Sequence, residues 1–158
     1  MRPYKIPESV LVVIHTGGGQ VLLMERADRP GFWQSVTGSL DAPDEPPRVA
    51  ALREIWEETG LQVAEASLQD LRICHRYELY EHWRHRYAPG VTHNTEHAFA
   101  LCLPKTQPVR LAPREHLDAV WLPWQQAAER CFSPSNAEVI RTLAHRLAWP
   151  DTGHGGMP

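Results

Sequence analysis

The stretch REIWEETGL, Arg53–Leu61, crowds Glu54, Glu57 and Glu58 into five positions. On a helix, Glu57 and Glu58 fall about 60° to one side of Glu54 and about 40° to the other, so all three share one face. Like charges at i,i+4 cost an isolated helix roughly 0.2–0.5 kcal/mol per pair. They also sit in the second half of the helix, the wrong end of its dipole for negative charge. Arg53 can pair with Glu57 at i,i+4 and offset part of the repulsion. The spacing leaves two readings open. One is a solvated acidic face, the commoner use of such a pattern. The other is a seat for a hard divalent cation, Mg²⁺ or Mn²⁺, which prefers oxygen ligands.

The helix itself is predicted over residues 45–59. Asp44 is a candidate N-cap, and Pro46 and Pro47 suit a first turn whose N–H groups lack partners anyway. Val49, Leu52, Ile55 and Trp56 recur at helical spacing as an apolar face, and Gly60 is a natural C-terminal stop. Upstream, SVLVVIHT (Ser9–Thr16) is an apolar, β-branched run that reads as a strand buried on both faces. The Gly17–Gly19 turn joins it to a second strand, Gln20–Arg26, as a hairpin. That turn lacks the spacing and the Lys of a phosphate-binding loop. Phe32–Leu40 reads as a short strand entering a loop. Downstream, Leu71–Trp83, Glu96–Pro104 and Asp118–Pro123 read as strands, and 124–131 and 135–148 as helices. Strands on both sides of a central helix predict an α+β (mixed α/β) domain over residues 1–149, with 150–158 a disordered tail.

Composition narrows the function classes. The chain has 158 residues, 42% hydrophobic and 22% charged, which suits a single globular domain with a sizeable core. A formal net charge of −3 argues against nucleic acid as a bulk-charge partner. No apolar run is long enough to span a bilayer, so no membrane association is expected. The stretch MRPYKIPESV lacks the apolar core of a signal peptide. Cys74, Cys102 and Cys131 show no CxxC spacing, which fits a reducing compartment, and the expected location is the cytoplasm. Cys74 and His75 point to opposite faces of a strand and cannot cooperate, so Cys74 reads as packing. His82-x-x-His85 has zinc-like spacing, but Arg84 and Arg86 around it disfavour a cation.

Gly38 stands upstream of the glutamates, in the segment GSLDAPDEPPRVAALREIWEETGL. This segment resembles the Nudix box, G-x5-E-x7-R-E-U-x-E-E-x-G-U with U aliphatic. Arg53, Glu54, Ile55, Glu57, Glu58, Gly60 and Leu61 match its second half in full, and Glu45 stands at the box distance before Arg53. Gly38 and Glu45 enclose one residue more than the pattern has. The helix fixes Glu45 relative to Arg53, and a loop can absorb an insertion. The resemblance implies a Nudix fold, a mixed β-sheet between helices, and Mg²⁺-dependent cleavage of a nucleoside-diphosphate-type linkage, with Mn²⁺ as a substitute cation.

Outside the box, FWQSVTGS (Phe32–Ser39), RHRYAPGVTHNTEHAF (Arg84–Phe99) and REHLDAVWL (Arg114–Leu122) resemble the folate-pathway branch of that family. Its bacterial members convert dihydroneopterin triphosphate to the monophosphate and pyrophosphate. The resemblance implies Glu54 and Glu58 as metal ligands, Glu57 as a neighbour sharing the ion, and Glu115 as a further carboxylate. It implies Lys5, Arg26, Thr37, the stretch Tyr77, Glu78, Leu79 and Tyr80, and Asn136 of SPSN as substrate contacts. Arg53 is expected to orient a glutamate, and either Glu57 or Glu115 to take the proton of the attacking water. The expected partner is a small-molecule triphosphate, with no obligate protein partner. Two alternatives stand beside this reading: a Nudix pyrophosphohydrolase of ordinary or oxidised (d)NTPs, and a non-catalytic nucleotide-binding module.

Overall fold

A computed structural model describes residues 3–151. Its elements in chain order are strands β1 (Glu8–Thr16), β2 (Gln20–Arg26), β3 (Trp33–Gln34) and β4 (Val36–Ser39), helix α1 (Pro47–Thr59), strands β5 (Leu68–Glu78), β6 (His93–Leu103) and β7 (His116–Pro123), and helices α2 (Trp124–Arg130) and α3 (Pro134–Leu147). Short 3-10 turns occupy Glu65–Ser67 and Glu81–Arg86.

All seven strands join one mixed sheet with the path β3-β2-β1-β6-β5, while β4 pairs with β1 and β7 with β2. The β1–β6 pairing is parallel, from Glu8↔Thr95 to Thr16↔Leu103, and the other pairings are antiparallel. Side chains alternate across the sheet. Leu11 and Val13 of β1 therefore pack with α2 and α3, whereas Val10, Val12 and Ile14 pack with α1. Both faces of β1 are covered, which is why its sequence is a continuous apolar run.

Helix α1 departs from its expected start and orientation. It begins at Pro47, with Pro46 rather than Asp44 at the cap position and no side-chain capping bond. Its sheet-facing surface is Ala50, Ala51 and Ile55, together with Glu54 and Glu58; Val49 and Trp56 are 48% exposed. The two alanines let the helix lie close to the sheet, and Val49 and Trp56 turn outward. Trp56 is partly compensated by the Arg110 guanidinium, 5.3 Å from its ring centre. Gly60 ends the helix in the left-handed region (φ 73°), its N–H donating to the Trp56 carbonyl at 2.9 Å.

Three other expectations are revised. Strand β5 stops at Glu78, where pairing with His93 ends, and the chain to Trp83 folds into the Glu81–Arg86 turn. Cys74 is exposed rather than packed, because Arg72, Cys74, Arg76 and Glu78 alternate outward on an uncovered face of this edge strand. At the C-terminal end, Trp149 is buried, the Pro150 carbonyl accepts from the Trp124 indole, and Gln125 donates to Asp151. Residues 150 and 151 thus touch α2; the remainder of the expected tail, 152–158, lies outside the described residues. Among the described residues no helix is long and apolar enough to cross a membrane.

Candidate active site

A cleft of about 1040 Å³ opens on the α3 side of the sheet. Its floor comes from residues that alternation brings to one face: Ser9 and Leu11 of β1, Thr37 and Ser39 of β4, Tyr77 of β5, and Asn94 and Glu96 of β6. The α1 carboxylates border one end, and Tyr80, Trp83 and Phe132 form an aromatic rim.

At the acidic end, Glu54 and Glu58 are only 8% and 2% exposed. Gly38 makes room for this. A Cβ there would lie 2.1 Å from Glu54 Oε2, so the carboxylate rests where any other residue would have a side chain. Glu58 Oε1 is buried without a hydrogen-bond partner, and His116 Nε2, also unpartnered, stands 3.8 Å from it. Burial raises the pKa of both glutamates. For Glu58 the neighbouring Glu54 and then Glu115 add to the rise, and the Thr37 N–H opposes it; for Glu54 the Glu58 contact and Arg53 oppose it. Burial, followed by the Arg26 charge, lowers His116 to about 4, so it is neutral at pH 7 and cannot neutralise Glu58.

Arg53 ties the acidic end together. It donates to Glu54 at 2.8 Å, Glu45 at 3.1 Å and the Ser39 carbonyl at 3.2 Å, and pairs with Asp41 at 3.1 Å. Its expected Glu57 partner is farther, at 3.7 Å. Glu45 Oε1 also accepts the Asp41 N–H at 2.7 Å, which closes the loop that carries the extra residue. Burial works to raise the Glu45 pKa, but the bonds from Arg53 and Asp41 outweigh it and keep Glu45 ionised. Glu57 and Glu115 line the same end and are exposed to solvent.

The donor set fits a hard divalent cation. Two buried, like-charged carboxylates with an orphaned oxygen are costly unless a positive charge joins them. Among the described residues no group of three or more His, Cys, Asp or Glu side chains is arranged to hold a metal ion, so a divalent cation on the two buried carboxylates would complete its coordination with water or phosphate oxygens.

The expected substrate contacts all line the cleft, with different degrees of freedom. The Lys5 residue is exposed overall, but its ammonium leans into the cleft 5.9 Å from the Tyr87 ring centre. There desolvation, then Arg86 and Arg26, lower its pKa. Arg26 is already held by both Asp28 oxygens at 2.8 Å and by Gln34 at 3.0 Å, and stacks 4.6 Å from the Trp83 ring centre. This arrangement, with Arg86, holds the Asp28 carboxyl down at about 2. The Thr37 hydroxyl donates to the Val10 carbonyl. Tyr77 accepts from Asn94, Glu78 pairs with Arg84, Leu79 is buried, and Tyr80 is exposed beside Trp83. Both amide atoms of Asn136 are engaged by Ser35: Oδ1 accepts its N–H at 2.8 Å and Nδ2 donates to its hydroxyl at 3.0 Å.

Several lining residues escaped the sequence reading. Asn94 and Glu96 are polar residues at alternating positions of a strand whose following residues are apolar, a pattern that marks a buried polar face. His116 adjoins Glu115, yet nothing in its spacing signals burial. Trp83 and Phe132 meet only because the Glu81–Arg86 turn and the α2–α3 connection come together in space.

The NUDIX domain profile matches residues 5–143. The chain belongs to the NUDIX domain family. Nudix hydrolases generally use divalent cations and act on small-molecule phosphate substrates. Within the family, the chain is 42% identical to the dihydroneopterin triphosphate diphosphatase of Haemophilus influenzae over 150 residues, 93% of each chain. It is 43% identical to the enzyme of the same name from Escherichia coli, over 93% of this chain and 98% of that one. The solved structure of the E. coli dihydroneopterin triphosphate pyrophosphohydrolase superposes with a TM-score of 0.85 at 40% identity, covering 92% of this chain and 99% of the other. The Nudix fold expected from the Arg53–Leu61 helix is thus the fold found.

Proposed function

We propose that this chain hydrolyses dihydroneopterin triphosphate to dihydroneopterin monophosphate and pyrophosphate, a step of folate biosynthesis, with Mg²⁺ as its cation and Mn²⁺ as a substitute. The observation that carries the reading is the near-full-length similarity to two diphosphatases of that name, joined to an intact carboxylate end. A non-catalytic module has no use for two buried, repelling glutamates.

In this reading Glu54 and Glu58, with Glu57 and Glu115 from the exposed side, hold the cation. When bound, it supplies neutralisation of phosphate charge and a water of lowered pKa. Arg53 fixes Glu54 and is itself fixed by Glu45, so the carboxylate is oriented before substrate arrives. Glu57 or Glu115, both solvent-accessible, accepts the water's proton. Lys5, Arg26 and Thr37 contact the polyphosphate arm, Tyr77, Glu78, Leu79 and Tyr80 border the ring, and Asn136, its amide spent on Ser35, holds that wall of the cleft in place. Free Cys74, Cys102 and Cys131 suit a reducing compartment, and the proposal sets this chemistry in the cytoplasm.

Pyrophosphate release is measured on dihydroneopterin triphosphate, dATP and 8-oxo-dGTP, with and without Mg²⁺. The pterin substrate is expected to lead in kcat/KM by about tenfold or more. A nucleotide that matches or exceeds it moves the reading to nucleotide hydrolysis. No Mg²⁺-dependent release from any of the three sinks it.

A further inference from the structure

The floor of the cleft holds a third buried carboxylate, away from the α1 helix and unused by the hydrolysis. Glu96 is 4% exposed, and its Oε1 accepts the Ser135 hydroxyl at 3.0 Å. A carboxylate offers about four acceptor positions, so Ser135 and the nearby Tyr77 hydroxyl leave others free. Burial raises its pKa, opposed by Ser135, His75 and the nearby Tyr77 hydroxyl, so additional N–H donors would stabilise the charged form.

Asn94, two residues earlier and on the same face of β6, is 2% exposed. Its Nδ2 donates to Ser9 Oγ at 2.8 Å and to Tyr77 Oη at 3.0 Å. With Nδ2 turned to these two hydroxyls, Oδ1 is the free end of the amide. Oδ1 is buried and has no partner. Both residues line the cleft. An orphaned buried acceptor costs about 1–3 kcal/mol, which a ligand donor would recover.

We propose that Glu96 and Asn94 Oδ1 are the specificity-determining acceptors for the substrate ring, reading the 2-amino-pyrimidin-4-one edge that pterin and guanine share. That edge presents a ring N–H and an amino N–H side by side, matched to one carboxylate, and a second amino hydrogen for Asn94. Adenine instead places a ring nitrogen lone pair beside its amino group, and a carboxylate repels it. Tyr80, Trp83 and Phe132 supply the apolar contact that any flat ring accepts. The inference rests on the proposed pterin substrate and adds which atoms recognise it.

The test is isothermal titration of the whole chain, in EDTA, with neopterin, guanosine and adenosine. The wild type binds neopterin and guanosine more tightly than adenosine. E96Q, which replaces an acceptor by a donor at nearly constant volume, weakens both about 10- to 100-fold. Adenosine binding, retained or strengthened in E96Q because the repelling charge is gone, reports an intact cleft; E96D, which keeps the charge, falls between for neopterin and guanosine. In turnover, E96Q raises KM for dihydroneopterin triphosphate with kcat held within about threefold, a loss of ground-state and transition-state binding alike. Inorganic tripolyphosphate, which has no ring, is cleaved equally by both. Undiminished neopterin binding in E96Q, an equal loss for adenosine, or a wild type that prefers adenosine overturns the assignment. If the wild type fails to cleave the pterin triphosphate yet shows the ring preference and its loss in E96Q, the proposed function falls and the Glu96 assignment stands.

Discussion

The Glu54–Glu58 pair and the Ser35–Asn136 clasp are both buried, polar and adjacent to the cleft, yet they are built on opposite principles. Asn136 satisfies two groups of Ser35 and stitches the start of α3 to the β3–β4 junction. The glutamates repel each other, and one oxygen has no partner. A satisfied cluster stabilises the fold; an unsatisfied one stores a demand that only a ligand meets. Burial alone therefore does not mark a functional residue. What marks it is burial with the hydrogen-bonding left incomplete.

The comparison breaks if E58Q behaves like a structural lesion. It is expected to lose on the order of 10³-fold in pyrophosphate release, because charge stabilisation at the phosphate is removed. Without cation its Tm should equal or exceed the wild type, since a buried, uncompensated charge is gone. A large drop in Tm would show the pair to be structural after all. G38A sharpens the same point. The added Cβ meets only the end of the Glu54 side chain, which can swing aside. Activity should fall about 10- to 100-fold, as when a ligand loses its orientation, with Tm changed by only a few degrees. N136A should show the reverse balance. Leaving Ser35 groups unpaired costs about 1–3 kcal/mol, which lowers Tm by roughly 2–10 °C for a chain of this size. The smallest effect is the pH dependence of the cation-free protein. Both glutamates bind protons more tightly folded than unfolded. Their contribution is complete below the unfolded value, about 4.5, and is lost as pH rises through the raised folded value. Thermal melts between pH 5 and pH 8 should therefore show Tm falling, and Mg²⁺ should reverse the fall. His116 acts in the opposite sense: its folded pKa of about 4 lies below the ordinary 6.5, so its contribution is lost as pH falls across that window.

Much of this was legible in the sequence because it is local. The apolar run of β1, the Gly60 stop and the shared face of Glu54, Glu57 and Glu58 each depend on neighbours in the chain. The rotation of α1 was not legible. Val49 and Trp56 are more hydrophobic than Ala50 and Ala51, yet close approach to the sheet selects the small residues. The end of β5 was hidden too, because a strand stops where its partner stops and not where its own pattern does. Glu45 meets Arg53 as the box spacing suggests, but from the loop before α1 rather than from the helix, and the Asp41 contact that closes that loop likewise depends on tertiary geometry. Asn94 and Glu96 belong to a site assembled from three strands and a helix, and no single stretch of chain records that.

The parallel pairing of β1 with β6 also has a consequence for how the protein is made. The central strand, residues 8–16, waits for residues 95–103 before its second edge is closed. At synthesis rates of about 5–20 residues per second, that gap lasts on the order of ten seconds. Throughout it, Val10–Ile14, uncharged and rich in β-branched residues, keeps one open edge, the kind that seeds intermolecular pairing. The strand that anchors the finished molecule is thus also its most vulnerable segment on the ribosome.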